Sequence, residues 1–148
     1  MKPIRDIVRG REAYSVSPDM TVQEVAEYLC ERKIGAVAIV EDYKVIGVFS
    51  ERDLMSRVVC KELDPKATSV RDVMTPDAVY VMIHESAATA KSLMLGKNFR
   101  HLVVLDESEH LQGFVSMREL LEVDLEESRE LVQKLNDDYY HEDFKPKK

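Results

Sequence analysis

The sequence is poor in the residues from which reactive sites are most often built. Of 148 residues, two are cysteine, four are histidine and five are glycine. Cys30 and Cys60 have neither CxxC nor Cys/His ligand spacing, which predicts reduced thiols rather than a disulfide framework or a metal site. His84, His101, His110 and His141 fall in four separate segments, with no HExxH or triad-like grouping. Five singly scattered glycines leave no Gly-rich phosphate loop, and no other catalytic constellation stands in, so the chain does not read as an enzyme. Basic residues are outnumbered, 21 Lys and Arg against 28 Asp and Glu, for a net charge of −7. Nucleic-acid phosphates are held by clustered Lys and Arg, so nucleic acid is not an expected partner. The longest aliphatic run covers only residues 36–40, whereas a membrane helix needs about 20 apolar residues. The start, Met1-Lys2-Pro3-Ile4-Arg5-Asp6, lacks the apolar core of a signal peptide. A cytoplasmic protein without a membrane partner is expected.

What is present is globular in character, with 45% apolar and 33% charged residues. The length alone suits about one domain, but an internal repeat divides it. Gly47-Val48-Phe49-Ser50-Glu51-Arg52-Asp53-Leu54 recurs as Gly113-Phe114-Val115-Ser116-Met117-Arg118-Glu119-Leu120, at an offset of 66. At the same offset Ile4-Arg5-Asp6-Ile7-Val8 returns as Val70-Arg71-Asp72-Val73-Met74. Residues 36–40 match 101–105 at an offset of 65. Several blocks in one order at nearly constant offset mark a duplication.

Each half predicts the same elements. Thr21 with Glu24 three residues later is a capping-box pattern, and Val22, Val25, Ala26 and Leu29 follow at amphipathic-helix spacing. Ala87, Ala90, Leu93 and Met94 take that part in the second half. Two short β-branched runs come next, 36–40 and 45–49, mirrored by 102–105 and 111–115, and they read as adjacent strands. Ser50 and Ser116 then open further helices. The order is strand–helix–strand–strand–helix, twice. A unit of about 60 residues buries little by itself, so the two should pack together.

The repeated Gly-x-x-Ser-x-x-acid motif has two physical readings. A strand ends and a helix begins at Ser50, where free backbone N–H groups and the positive helix end favour a phosphate. The Asp53 carboxylate, one turn on, accepts two hydrogen bonds and suits the paired hydroxyls of a ribose. Gly47 leaves room for close backbone approach. Equally, Ser50 with Asp53, or Ser116 with Glu119, is a capping box that stabilises a helix start by about 0.5–2 kcal/mol without any ligand.

The whole pattern resembles a tandem cystathionine-β-synthase (CBS) domain pair, from about Ile4 to Leu121. The residues that carry the resemblance are Val16-Ser17-Pro18-Asp19-Met20-Thr21-Val22, residues 47–54, Val70-Arg71-Asp72-Val73-Met74-Thr75 and Arg100-His101-Leu102-Val103-Val104. It implies an α/β fold of two β-α-β-β-α repeats about a pseudo-twofold axis, with repeats at 4–66 and 67–124 and a helical extension and loose tail at 125–148. It implies a regulatory module whose inter-repeat cleft takes an adenosine-containing ligand such as AMP, ATP, NAD or S-adenosylmethionine. AMP or ATP is expected first, as a regulatory ligand and not as a catalytic cofactor. Carried onto this chain, Asp53 would hold the ribose and Ser50 the ribose or phosphate. Ile34, Gly35 and Ala36 would line the adenine slot and Val16 would pack on the base. Arg100 and His101 would reach phosphates, with Arg52 as a further phosphate contact. Ser116 and Glu119 would form a second site, weaker because Glu stands where the family usually has Asp. The resemblance further implies a disc-like homodimer, and a separate effector protein as the regulated partner. The alternative from another class is a ligand-free scaffold used for dimerisation or for binding a separate partner protein. Leu121, Leu125, Val132 and Leu135 predict that the last helix runs past the repeat and ends near Tyr139-Tyr140.

Overall fold

The computed structural model describes residues 2–97 and 99–143. Its elements follow the duplicated order. A short helix α1 (Ile4–Val8) precedes β1 (Ser15–Val16), α2 (Val22–Arg32), β2 (Ala36–Glu41), β3 (Lys44–Ser50) and α3 (Glu51–Asp53). The turn after α3 widens into a π-helix at Leu54–Val59. A 3-10 turn (Val70–Asp72) and β4 (Thr75–Pro76) lead to β5 (Tyr80–Met82), α4 (Ala87–Lys97), β6 (His101–Leu105), β7 (Leu111–Ser116) and α5 (Met117–Asp143). The last helix passes the predicted end at Tyr139-Tyr140 by one turn.

The strands form a sheet of order β1-β2-β3-β4 and a second of order β5-β6-β7. The first strand of each repeat is parallel to its neighbour, and the next two are antiparallel. Side chains alternate across each strand. Val37 and Ile39 face α2 in one core, while Leu102 and Val104 face α4 and α5 in the other. Ala36, Ala38, Val103 and Leu105 lie on the opposite sheet faces and are buried as well. Helix α2 starts where its sequence indicates, because the Thr21 hydroxyl accepts the Glu24 N–H at 3.2 Å and Glu24 accepts the Thr21 N–H at 3.3 Å.

The halves are interlocked through their leading segments. Ile4, Ile7 and Val8 precede the first half in sequence but are buried in the core of the second. The duplicate residues Val70 and Val73 are buried in the core of the first. The backbone repeats this relation bond for bond. The Ala87 N–H donates to the Lys2 carbonyl at 2.9 Å, and the Val22 N–H to the Thr68 carbonyl at 2.9 Å. Each leading segment thereby docks at the N-terminus of a core helix, through the Pro3 and Ser86 bridge in one half and the Thr21 and Ser69 bridge in the other. Segment 70–76 then joins the first sheet as β4, with Thr75 opposite Val48 and Pro76 opposite Gly47.

Candidate functional site

Two strand-to-helix mouths hold most of the predicted residues. In the first, Ser50 is extended (φ −124°, ψ 167°) and caps α3. Asp53 Oδ2 accepts the Ser50 N–H at 2.9 Å and the Ser50 hydroxyl at 3.0 Å, and Ser50 Oγ accepts the Asp53 N–H at 3.3 Å. The capping reading of the motif therefore holds. It leaves Oδ1 for other work, and Oδ1 accepts the Thr75 hydroxyl at 3.2 Å, with Arg57 Nε 3.6 Å away. Arg57 also donates to the Met74 carbonyl at 2.7 Å. The carboxylate thus joins the first half to the connector that enters the second.

Gly47 serves that same connector. A Cβ on it would stand 2.6 Å from Met74 Sδ and 2.8 Å from the Thr75 carbonyl. Its missing side chain admits the chain's own backbone. Gly35 and Ala36 lie beside this mouth, since the Gly35 carbonyl accepts the Glu51 N–H at 2.9 Å and Ala36 pairs with Ser50. The Glu51 carboxyl carbon sits 3.3 Å from the position of a Gly35 Cβ, so an acidic group flanks the predicted base slot. Ile34 and Val16 turn their side chains into the first core, Val16 opposite Ile39 in β2. Arg52 is exposed on α3.

The second mouth repeats the cap with a longer acid. Glu119 Oε1 accepts the Ser116 N–H at 3.3 Å and the Ser116 hydroxyl at 3.2 Å. Its Oε2 is ion-paired with Arg11, from the segment after α1. Again the leading segment reaches the acid, here with a cation in place of a hydroxyl. Arg100 and His101 belong to this mouth: the Arg100 carbonyl accepts the Met117 N–H at 2.9 Å and His101 pairs with Ser116. Desolvation holds the His101 imidazole below its ordinary pKa, and Arg100 adds to that; the Glu119 and Glu51 carboxylates oppose it. Because Glu51 belongs to the first mouth, the two mouths share one electrostatic field.

A cavity of about 250 Å³ lies between the halves, with Lys44, Val45 and Ile46 on one side and Asp77, Ala78, Tyr80, Val103, Leu105 and Glu109 on the other. Sequence reasoning missed these residues along with Thr75, Arg57 and Arg11. Ser50 and Asp53 do not line the cavity. Residues 75–80 connect them to it, from the Thr75 hydroxyl on Asp53 to the Tyr80 ring at the cavity wall. The one available signal was the duplication itself, since Thr75 directly follows the repeated block 70–74. Among the described residues no cluster of His, Cys, Asp or Glu could hold a metal ion, and no helix is long and apolar enough to cross a membrane. Cys30 and Cys60 are free thiols on the surface.

Comparison with known proteins bears on this geometry. The protein MK0525 of Methanopyrus kandleri is 34% identical over 121 residues, which is 81% of this chain and 59% of that protein. The chain therefore spans less than two thirds of that relative's length. The CBS-domain containing protein ATU1752 of Agrobacterium tumefaciens has a TM-score of 0.74 at 30% identity, covering 82% of this chain and 98% of its own. The cytosolic domain of the Mg2+ channel MgtE, solved in complex with ATP, has a TM-score of 0.64 at 31% identity, covering 74% of this chain and 44% of its own. The family model for the CBS domain matches twice, at residues 4–60 and 70–126. With two matches in register with the duplication, over halves whose sheets and caps repeat one another, the chain belongs to the CBS domain family.

Proposed function

We propose that this chain is a regulatory module that binds an adenosine-containing ligand between its repeats and signals through their relative arrangement. The observation that carries the reading is the Asp53 carboxylate. One oxygen is committed to the Ser50 cap, while the other accepts the Thr75 hydroxyl as its one hydrogen bond, with Arg57 Nε 3.6 Å away. A ribose offers the same donor chemistry twice over, and would share or replace the Thr75 contact. Thr75 lies in β4, and Arg57 holds the Met74 carbonyl just before it, so occupancy at Asp53 acts on the link between the halves. A ligand shifts that link only by its difference in affinity for the two arrangements. The ATP complex of MgtE, at 31% identity, supports an adenine nucleotide as the ligand class.

The first mouth is the stronger of the two. At the second, Arg11 donates directly to Glu119, whereas Arg57 stands 3.6 Å from Asp53, so a ribose at the second mouth would have to displace a charge-assisted bond. Phosphates would be met by Arg100 and by His101 in its protonated form. Homodimerisation fits the exposed apolar pairs at duplicate positions, Met55 with Leu121 and Val59 with Leu125, all more than half exposed. Regulation of a separate effector follows from the sensor reading.

A thermal-shift panel of AMP, ADP, ATP, NAD, NADH and S-adenosylmethionine tests the proposal. A ligand at 100 times its Kd stabilises by about 2.7 kcal/mol, a Tm rise of roughly 5–10 °C for a chain of this size. No shift with any of them at millimolar concentration would overturn the sensor in favour of the scaffold.

A further inference from the structure

Helix α5 leaves the body of the protein with an apolar stripe uncovered. Every residue from Ser128 to Asp138 is exposed, including Leu131, Val132 and Leu135 at 58%, 56% and 59%. Propensity alone makes a projecting helix of this length marginal in water. The apolar residues Leu121, Leu125, Val132 and Leu135, with the polar Ser128 between them, succeed one another at spacings of four, three, four and three. That averages 3.5 residues, the period of a helix facing another helix.

We propose that residues 121–135 pair with the same segment of a second copy of this chain as a parallel, in-register, two-stranded coiled coil. The pairing rests on the homodimer reading above and specifies where and how the copies meet. In heptad terms Leu121, Ser128 and Leu135 occupy d, and Leu125 and Val132 occupy a. Val132 at a followed by Leu135 at d is the two-strand combination, and the polar Ser128 at the central d position fixes register at a cost in stability. The charges select the orientation. Glu126, Glu127, Glu130, Lys134 and Asp137 fall at b, c and f, away from the seam, so the acidity of the helix does not oppose pairing there. At the flanks, a parallel pair sets Asp124 (g) against Arg129 (e) of the other copy, twice. An antiparallel pair that kept the seam closed would set Arg129 against Arg129 and Asp124 against Asp138. Asp124 accepts Lys91 of its own chain through Oδ2, which leaves Oδ1 for the second copy's Arg129.

The test is cysteine cross-linking in the full chain with Cys30 and Cys60 replaced by serine, a change at two exposed positions. Ser128→Cys and Leu135→Cys, each alone, should oxidise to covalent dimers about tenfold faster than Glu126→Cys on the outer face, in line with the seam geometry. Cross-linking at 128 without cross-linking at 135 would overturn the parallel register, because an antiparallel helix carries residue 135 about 15 Å from its mate. Light scattering on the same samples separates the two levels of the claim. A dimer in which all three variants react alike would overturn the coiled coil while leaving dimerisation in place, whereas a monomer would overturn both.

Discussion

At the scale of single residues, each mouth is governed by an acid that does two things at once. Asp53 closes a helix cap and tethers the connector, so removing it should cost stability as well as binding. Asp53→Ala is expected to lower unfolding free energy in denaturant titrations by about 0.5–2 kcal/mol, the usual range for a lost cap. Thr75→Val should leave the cap intact and lose only the tether, giving a smaller drop. His101 sets a pH dependence with a definite sign. Its folded pKa is lowered, first by desolvation, so the folded chain binds fewer protons than the unfolded chain just below the ordinary histidine pKa of about 6.5. The stability it contributes is complete above that value and is lost as pH falls through the lowered folded pKa. An anionic phosphate placed beside the imidazole would push its pKa back up. Nucleotide binding is therefore expected to take up protons near pH 6.5, seen as a buffer-dependent heat in calorimetry. His101→Gln should abolish that heat difference.

Between elements, the chain spends its small residues where its own segments cross. Gly47→Ala would drive a methyl into Met74 and the Thr75 carbonyl, and should destabilise by about 1–3 kcal/mol, the range for overpacking. It should also loosen β4, measurable as faster amide exchange at residues 74–76. Much of this level was legible beforehand. Residues 36–40, 45–49, 102–105 and 111–115 grew by only a residue or so at their ends, because short apolar runs of β-branched residues define a strand locally. The Thr21 and Ser50 caps were legible for the same reason: a cap is a contact three residues long. Thr75 on Asp53 and Arg11 on Glu119 were not, since these contacts span 22 and 108 residues. No local pattern encodes a partner so distant. The π-helix after Asp53 also escaped notice, because Leu54 and Val58 fit a regular helix equally well.

Over the whole molecule, two repeats become one body by exchanging their leading segments. The exchange makes an unusual expectation about mutants. Ile4→Ala, at a fully buried site in the second core, should cost about 2–5 kcal/mol. Hydrogen exchange should place the damage in β5, β6 and β7, more than 70 residues away in sequence, and leave β1 to β3 largely protected. Val70→Ala should do the reverse. Duplication revealed that two halves exist, but their interlock rests on which core each copy of one block enters, and both copies present the same apolar face. That choice belongs to tertiary packing.

The central claim is that this interlocked pair holds an adenosine ligand at the first mouth. Isothermal titration of AMP and of ATP into the unaltered chain, Asp53→Ala and Glu119→Ala tests it most directly. Asp53→Ala should weaken binding by about tenfold or more, the worth of one charged hydrogen-bonding partner, with Glu119→Ala changing it by less than about threefold, as for a carboxylate already engaged in a direct bond to Arg11. Equal losses in the two variants, or an Asp53→Ala protein that binds as tightly as the unaltered chain, would contradict it.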